Sequence, residues 1–278
     1  MDPAVKSNRI LPATRWLAAL VIPFLVVAFV ILYLFPSKTE QLFAWKLQPQ
    51  MSAMMLGAAY AGGVYFFSGV LLLKKWHRVK VGFLPVMSFA TLLGIATVLH
   101  WDRFNHAHIS FYAWAGLYFT TPFLVFAVWW RNRSQDSGKI ALAADASIPR
   151  WIRWGLGIVG AVTLLISLLL FFQPNLMMGV WPWTLTPLTA RVVGAMFALP
   201  GLVGLGIARD ERWSAARLIL QSQAFSIALI LVACVRAWGE FGPLTFGTVL
   251  FVGGLTALLI GIVGFYAYME SLFQKFKK

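Results

Sequence analysis

The chain is poor in acid and nearly free of cysteine. Of 278 residues only nine are Asp or Glu, against 23 Lys or Arg, and charged residues make up 12% of the total. A soluble domain carries roughly twice that fraction, so a hydrated globular surface is excluded. The lone cysteine, Cys234, sits inside an apolar run. That rules out an internal disulfide and any CxxC redox or metal motif, and it reads as a small buried side chain. There is no HExxH, no glycine-rich phosphate loop and no assignable serine–histidine pair. No catalytic residue is therefore assigned. Nor does any Asp, Glu or Lys fall in the middle of an apolar run. Carriers coupled to protons or cations normally need such a group near the membrane midplane. Uniport of a neutral or lipophilic solute stays open.

What fills the chain is apolar sequence. Apolar residues reach 60%, and the mean hydropathy is +0.78. They fall in eight runs, at 16–35, 52–73, 81–100, 108–130, 154–172, 190–208, 214–235 and 246–267. Each is close to the roughly 20 residues that cross ~30 Å of hydrocarbon. A lone run in lipid must satisfy its own backbone hydrogen bonds, so each is a helix. The fold class is an all-α integral membrane protein whose first partner is the lipid bilayer. A retained first span is expected rather than a signal peptide, since its run is long and no Ala-x-Ala site follows.

The net charge of +14 is not a nucleic-acid signature, because the basic residues cluster at the ends of the runs. Eighteen of the 23 fall in the N-terminal tail, alternate connections and the C-terminal tail; the other side has only Lys38, Lys46, Arg103, Arg191 and Arg236. Both termini are expected to be cytoplasmic, as an even number of spans requires. His77, in the basic second connection, is expected to be solvated.

A polar stretch from Arg131 to Arg150, holding Ser134, Asp136, Ser137 and Gly138, divides the chain at its midpoint. Around it the sequence repeats. Arg15-Trp16 recurs as Arg153-Trp154, Pro36 as Pro174, Trp45 as Trp183, Leu47 as Leu185 and Pro49 as Pro187, all 138 residues apart. After a one-residue slip, Gly57 matches Gly194, Ala58 matches Ala195, Trp101 matches Trp238, Phe104 matches Phe241 and Gly116 matches Gly253. The predicted organisation is a tail (1–14), a four-helix repeat (15–130), a linker (131–152), a second repeat (153–267) and a basic tail (268–278). Four spans per half make the repeat parallel, with a pseudo-two-fold axis along the membrane normal. Gly57, Ala61, Gly62, Gly194, Gly201 and Gly204 mark close helix contacts. Pro85, Pro122 and Pro200 are expected to kink their helices.

Three places offer chemistry. The stretches 43–49 and 180–187 alternate aromatic and polar residues, which suits segments lying in the headgroup layer; the alternative is a re-entrant piece lining a cavity. Between the third and fourth spans, His100, Asp102, His106 and His108 crowd into nine residues. Imidazole and carboxylate suit Zn²⁺, Ni²⁺ or Mn²⁺, so these four are the candidate ligands of a divalent transition metal. The competing reading is helix capping and interfacial pairing, and the second half has no histidine at the matching place. Third, Gln221, Gln223 and Ser226 in the seventh span would line a polar path or bond to neighbouring helices.

Leu32 to Pro36 (Leu-Tyr-Leu-Phe-Pro), His100-Trp101-Asp102-Arg103-Phe104 and Trp181-Pro182-Trp183 together resemble a family of bacterial multi-pass membrane proteins with no assigned activity. The resemblance implies a bacterial plasma membrane and transfers no functional residue. Two functions stay open: a binding or transport-like protein with a single outer-face His/Asp site, or a structural or accessory subunit packing against partner membrane proteins or further copies of itself. An enclosed polar cavity would favour the first, and an open small-residue face the second.

Overall fold

The computed structural model describes residues 8–136, 145–241 and 245–275. Within them the protein is all-helical, without strands, and eight helices are long and apolar enough to cross a membrane. These are α1 (Pro12–Phe29, continued as a wider π-type turn to Leu34), α2 (Gln50–Leu72), α3 (Phe83–Leu99), α4 (Ile109–Arg133), α5 (Arg150–Phe172), α6 (Pro187–Arg209), α7 (Trp213–Arg236) and α8 (Phe246–Lys275). Lys6, Ser137, Gly138, Lys139, Lys277 and Lys278 lie outside the described residues.

Seven helices end within about four residues of the expected spans. The eighth runs on past residue 267 because its last turns pack sideways rather than cross lipid. Met269 is buried there, and Glu270 accepts from the Trp213 indole at 2.9 Å and pairs with Arg217, also at 2.9 Å. Pro85 falls in the first turn of α3, where a missing N–H costs nothing, whereas Pro122 and Pro200 lie inside α4 and α6.

Helices α2, α3, α6 and α7 form the centre. Helix α2 packs along α7, and α3 packs along α6; α1 lies on α2, α4 on α3, α5 on α6 and α8 on α7. Glycine sets the closest of these approaches. A Cβ at Gly160 would sit 2.7 Å from the Gly201 carbonyl oxygen, and one at Gly204 would sit 2.6 Å from that of Leu156. Gly57 is pressed against Leu32 and Tyr33, and Gly194 against Leu170 and Phe171. Without a hydrophobic effect between helices in lipid, such backbone proximity supplies much of the association.

The end of the bundle carrying most basic residues is tied by buried polar groups. Ile10 N–H donates to Lys74 and Trp76 N–H to Asn8; correspondingly, Ile148 N–H donates to Glu211 and Trp213 N–H to Ala146. Trp76 and Trp213 are both fully buried. His77, expected to be solvated, is only 4% exposed. Its Nδ1 accepts from the Asn8 amide at 2.5 Å, and its Nε2 lies 3.0 Å from Ser214 Oγ, which in turn bonds Asp145. Beside it, Asp136 pairs with Lys80 and Arg212, and both cations also reach Asp210, at 2.7–2.9 Å. A carboxylate and guanidinium this deeply buried require full pairing, which four alternating charges provide.

At the other end, residues 43–49 and 180–187 pack onto the bundle. Phe43, Trp45, Leu47, Trp183 and Leu185 are buried. Trp45 packs against Phe104 at 5.0 Å and Trp114 at 4.7 Å; Trp183 packs against Phe241 at 5.3 Å and Phe251 at 5.0 Å. Large rings gain more by closing the bundle end than by floating at its edge.

Candidate functional site

The four candidate metal ligands are pulled toward different neighbours. His100 Nε2 accepts from Arg191 at 2.7 Å. An arginine can only donate, so the lone pair of that nitrogen is already engaged; burial, then the charge of Arg191, pushes the ring's pKa down. Asp102 pairs with Arg103 at 3.2 Å, both exposed. The His106 ring stacks between Trp101 and Phe111, at 5.1 and 4.6 Å, and its Nε2 is buried without a partner. His108 caps α4, its Nδ1 accepting from Ser110 N–H at 3.2 Å. Among the described residues, no three His, Cys, Asp or Glu side chains gather in a metal-holding group.

A large opening lies elsewhere. A cavity of about 1570 Å³ lies against α6 and α7 and is walled by α5 and α8. It exceeds the roughly 300–1,000 Å³ typical of drug-sized ligand pockets. Trp151 and Tyr268 line it toward the basic end, and Val180, Trp181 and Phe246 toward the opposite end. It is thus a groove running the depth of the bundle, about 33 Å along α8 from Phe246 to Tyr268 at 1.5 Å per residue.

The groove lies where two helices do not pack closely. In the first half α1 and α4 pack together, clamped by a fully buried Asn132. Its amide donates to Thr14 Oγ1 at 2.5 Å and to Val128 at 2.8 Å, and its oxygen accepts from Leu11 N–H at 3.0 Å. Helices α5 and α8 have no such packed contact. Along the facing sides, Gly155, Gly254, Gly261 and Gly264 have no neighbour within 4 Å of a built Cβ.

The lining is apolar with a polar band at mid-depth. No Asp, Glu, Lys, Arg or His lines it. Tyr60 and Tyr118 share a hydrogen bond at 2.5 Å. Ser222 donates to Gly62, Ser226 to Ala58 and Thr163 to Val159. Gln223 and Ser226, two of the three polar-path candidates, line the groove. Gln221 turns away, between Tyr266 at 2.6 Å and Tyr65 at 3.2 Å. Gln223 has no hydrogen-bond partner among the described residues.

Sequence reasoning missed the basic-end network. Burial and Arg212 push His77 down to about 4. Burial alone would raise Asp210, but hydrogen bonds from Arg212 and Lys80 outweigh it and hold the carboxyl at about 2. Hydrogen bonding to Asp210 raises Arg212. The available signal was spacing: His77 and Ser214 stand 137 apart, like the other matched pairs.

No family model matches this chain, and no curated protein or solved structure is significantly similar to it.

Proposed function

We propose that this protein is a binding or transport-like protein of a bacterial plasma membrane, and that it takes up a lipophilic molecule sideways from the bilayer between α5 and α8. The observation that carries this reading is the groove itself: large, apolar, free of charged lining residues and walled by α5 and α8, whose glycines there have no neighbour close by. A solute entering from lipid sheds no water, so apolar walls admit it without a desolvation cost, whereas an ion would bear one. The outer His/Asp cluster does not carry the function, since three of its four side chains are engaged by Arg191, Arg103 and Ser110.

The two halves are read as parallel repeats about an axis along the membrane normal. Supporting this, the α2–α7 contact has its counterpart in α3–α6, and α1–α2 in α5–α6. The pairs Gly57 on Tyr33 and Gly194 on Phe171 also correspond, as do Arg15 donating to Leu71 and Arg153 to Ala208. On the same spacing, Thr14 corresponds to Ile152 and Asn132 to Met269. The polar clamp that closes one side is thus replaced by two apolar side chains on the other. The basic end is taken as cytoplasmic because lysine and arginine concentrate there.

The test is to purify the protein in mild detergent, or in native membrane discs, and measure retained lipophilic molecules by mass spectrometry. Gly254→Trp and Gly261→Trp add an indole at positions lining the groove where a Cβ meets nothing within 4 Å, so the bulk enters the groove rather than a helix contact. Loss of a retained small molecule in both variants is expected. Retention unchanged in folded variants would refute the reading. Loss instead of a stoichiometric protein would identify the groove as a seat for a partner helix, the accessory-subunit function.

A further inference from the structure

We infer that the occupant of the groove is a neutral lipid whose hydroxyl or carbonyl group bonds to Gln223 halfway through the membrane. The inference rests on the groove reading above and adds the chemistry of the ligand. Three observations carry it.

The first is charge. No ionisable Asp, Glu, Lys, Arg or His lines the groove from any of its helices, so a phosphate or carboxylate drawn inside would be left uncompensated in a low dielectric. Phospholipids and fatty acid anions are disfavoured at depth; uncharged lipids are not.

The second is an unfilled hydrogen-bond capacity. Tyr60, Tyr118, Thr163, Ser222 and Ser226 use their hydroxyls on one another or on backbone carbonyls. Away from the groove's ends, only Gln223 and Thr121 line it without a hydrogen-bond partner among the described residues. A side-chain amide offers two donors and an acceptor, and surrounded by apolar walls it demands a partner. A ligand hydroxyl or carbonyl matches it.

The third is depth. Gln223 is 13 residues from the C-terminal end of α7, and Thr121 is 12 from the N-terminal start of α4. At 1.5 Å per residue both lie about 18–20 Å from the same end of the bundle. They form a polar station at one level, in a channel that continues apolar to both sides. A lipid with one small neutral polar group would rest its chains along the groove and its polar group at that level.

The experiment uses the full-length protein in lipid vesicles and photoactivatable diazirine probes of matched chain length: a diacylglycerol, a phosphatidic acid and a long-chain alkane. The expected order of labelling is diacylglycerol first, with phosphatidic acid a poor competitor. Gln223→Leu and the near-isosteric Gln223→Met should lower diacylglycerol labelling about threefold to twentyfold, the range measured for single interhelical hydrogen bonds in lipid, and leave alkane labelling unchanged. Gly261→Trp should abolish both. Equal labelling by phosphatidic acid, or diacylglycerol labelling insensitive to both Gln223 variants yet sensitive to Gly261→Trp, would overturn the inference while the groove stands. Labelling insensitive to Gly261→Trp would remove the groove reading itself, and this inference with it.

Discussion

Replacing Gly160 with alanine adds a single methyl where the structure leaves no room. The new Cβ would stand 2.7 Å from the Gly201 carbonyl oxygen, 3.0 Å from Leu205 N and 3.1 Å from Gly204 C, all backbone atoms. Carbon–oxygen approaches in proteins rarely close below about 3.3 Å, so α5 must move roughly 0.6 Å off α6. Overpacking of this kind costs about 1–3 kcal/mol. Alanine is also the better helix former by about 1 kcal/mol, which offsets part of that. The net expected loss is about 0–2 kcal/mol. Gly254→Ala is the matched control, since its Cβ would meet nothing within 4 Å; there the helix gain stands alone. The two variants should therefore differ by about 1–3 kcal/mol, the overpacking cost itself. Thermal unfolding in detergent would register this as several degrees, at roughly 2–4 °C per kcal/mol for chains approaching this length. If the two alanine variants unfold together, the tight α5–α6 seam does not exist, and the wall of the groove is not the rigid pair described.

Further outcomes follow from the two bundle ends. His77 is held neutral, with a folded pKa of about 4 against 6.5 when unfolded. The unfolded chain binds that proton first, so stability present above pH 6.5 falls as pH drops toward 4; His77→Gln should flatten this slope in unfolding measured between pH 7.5 and 5. Arg212→Ala leaves Asp136 and Asp210 with Lys80 as their shared cation and should cost about 3–5 kcal/mol in chemical denaturation, with Arg212→Lys recovering part of it. His108→Ala removes the α4 cap at a cost of about 0.5–2 kcal/mol, visible as faster amide exchange at Ser110. A cysteine at Asn105 should react with an impermeant thiol reagent only from outside the cell; labelling only from within would reverse the orientation.

The eight helices were legible because a span announces itself by length and apolarity, both local properties of the chain. The glycine contacts were legible for a similar reason, since Gly57, Gly194, Gly201 and Gly204 have no other role inside a lipid-spanning helix. The groove was not legible. It arises because α5 and α8 do not pack closely on each other, and no residue in either helix encodes a missing seam by itself. The contrast between Asn132 and Met269 becomes meaningful only once α1 and α4 are seen packed. For the crowded histidines, spacing gives proximity along the chain and says nothing of the arginine on α6 that claims His100. Gln223 was named as part of a polar path together with Gln221, yet two residues apart on a helix face opposite ways, and only one reaches the groove.

The buried knot at the basic end also fixes an order of manufacture. It joins Asn8 and His77 to Asp136, Asp145, Arg212 and Ser214, so it cannot be tied until more than three quarters of the chain has left the ribosome. The opening residues, synthesised first, are among the last to reach their final place. Until then α1 to α4 must sit in the bilayer with His77 and Lys80 hydrated at its surface. The arrival of Arg212 and Ser214 is the step that dries this seam. A chain halted before Arg212 would keep that end hydrated, with Asp136 lacking its guanidinium partner.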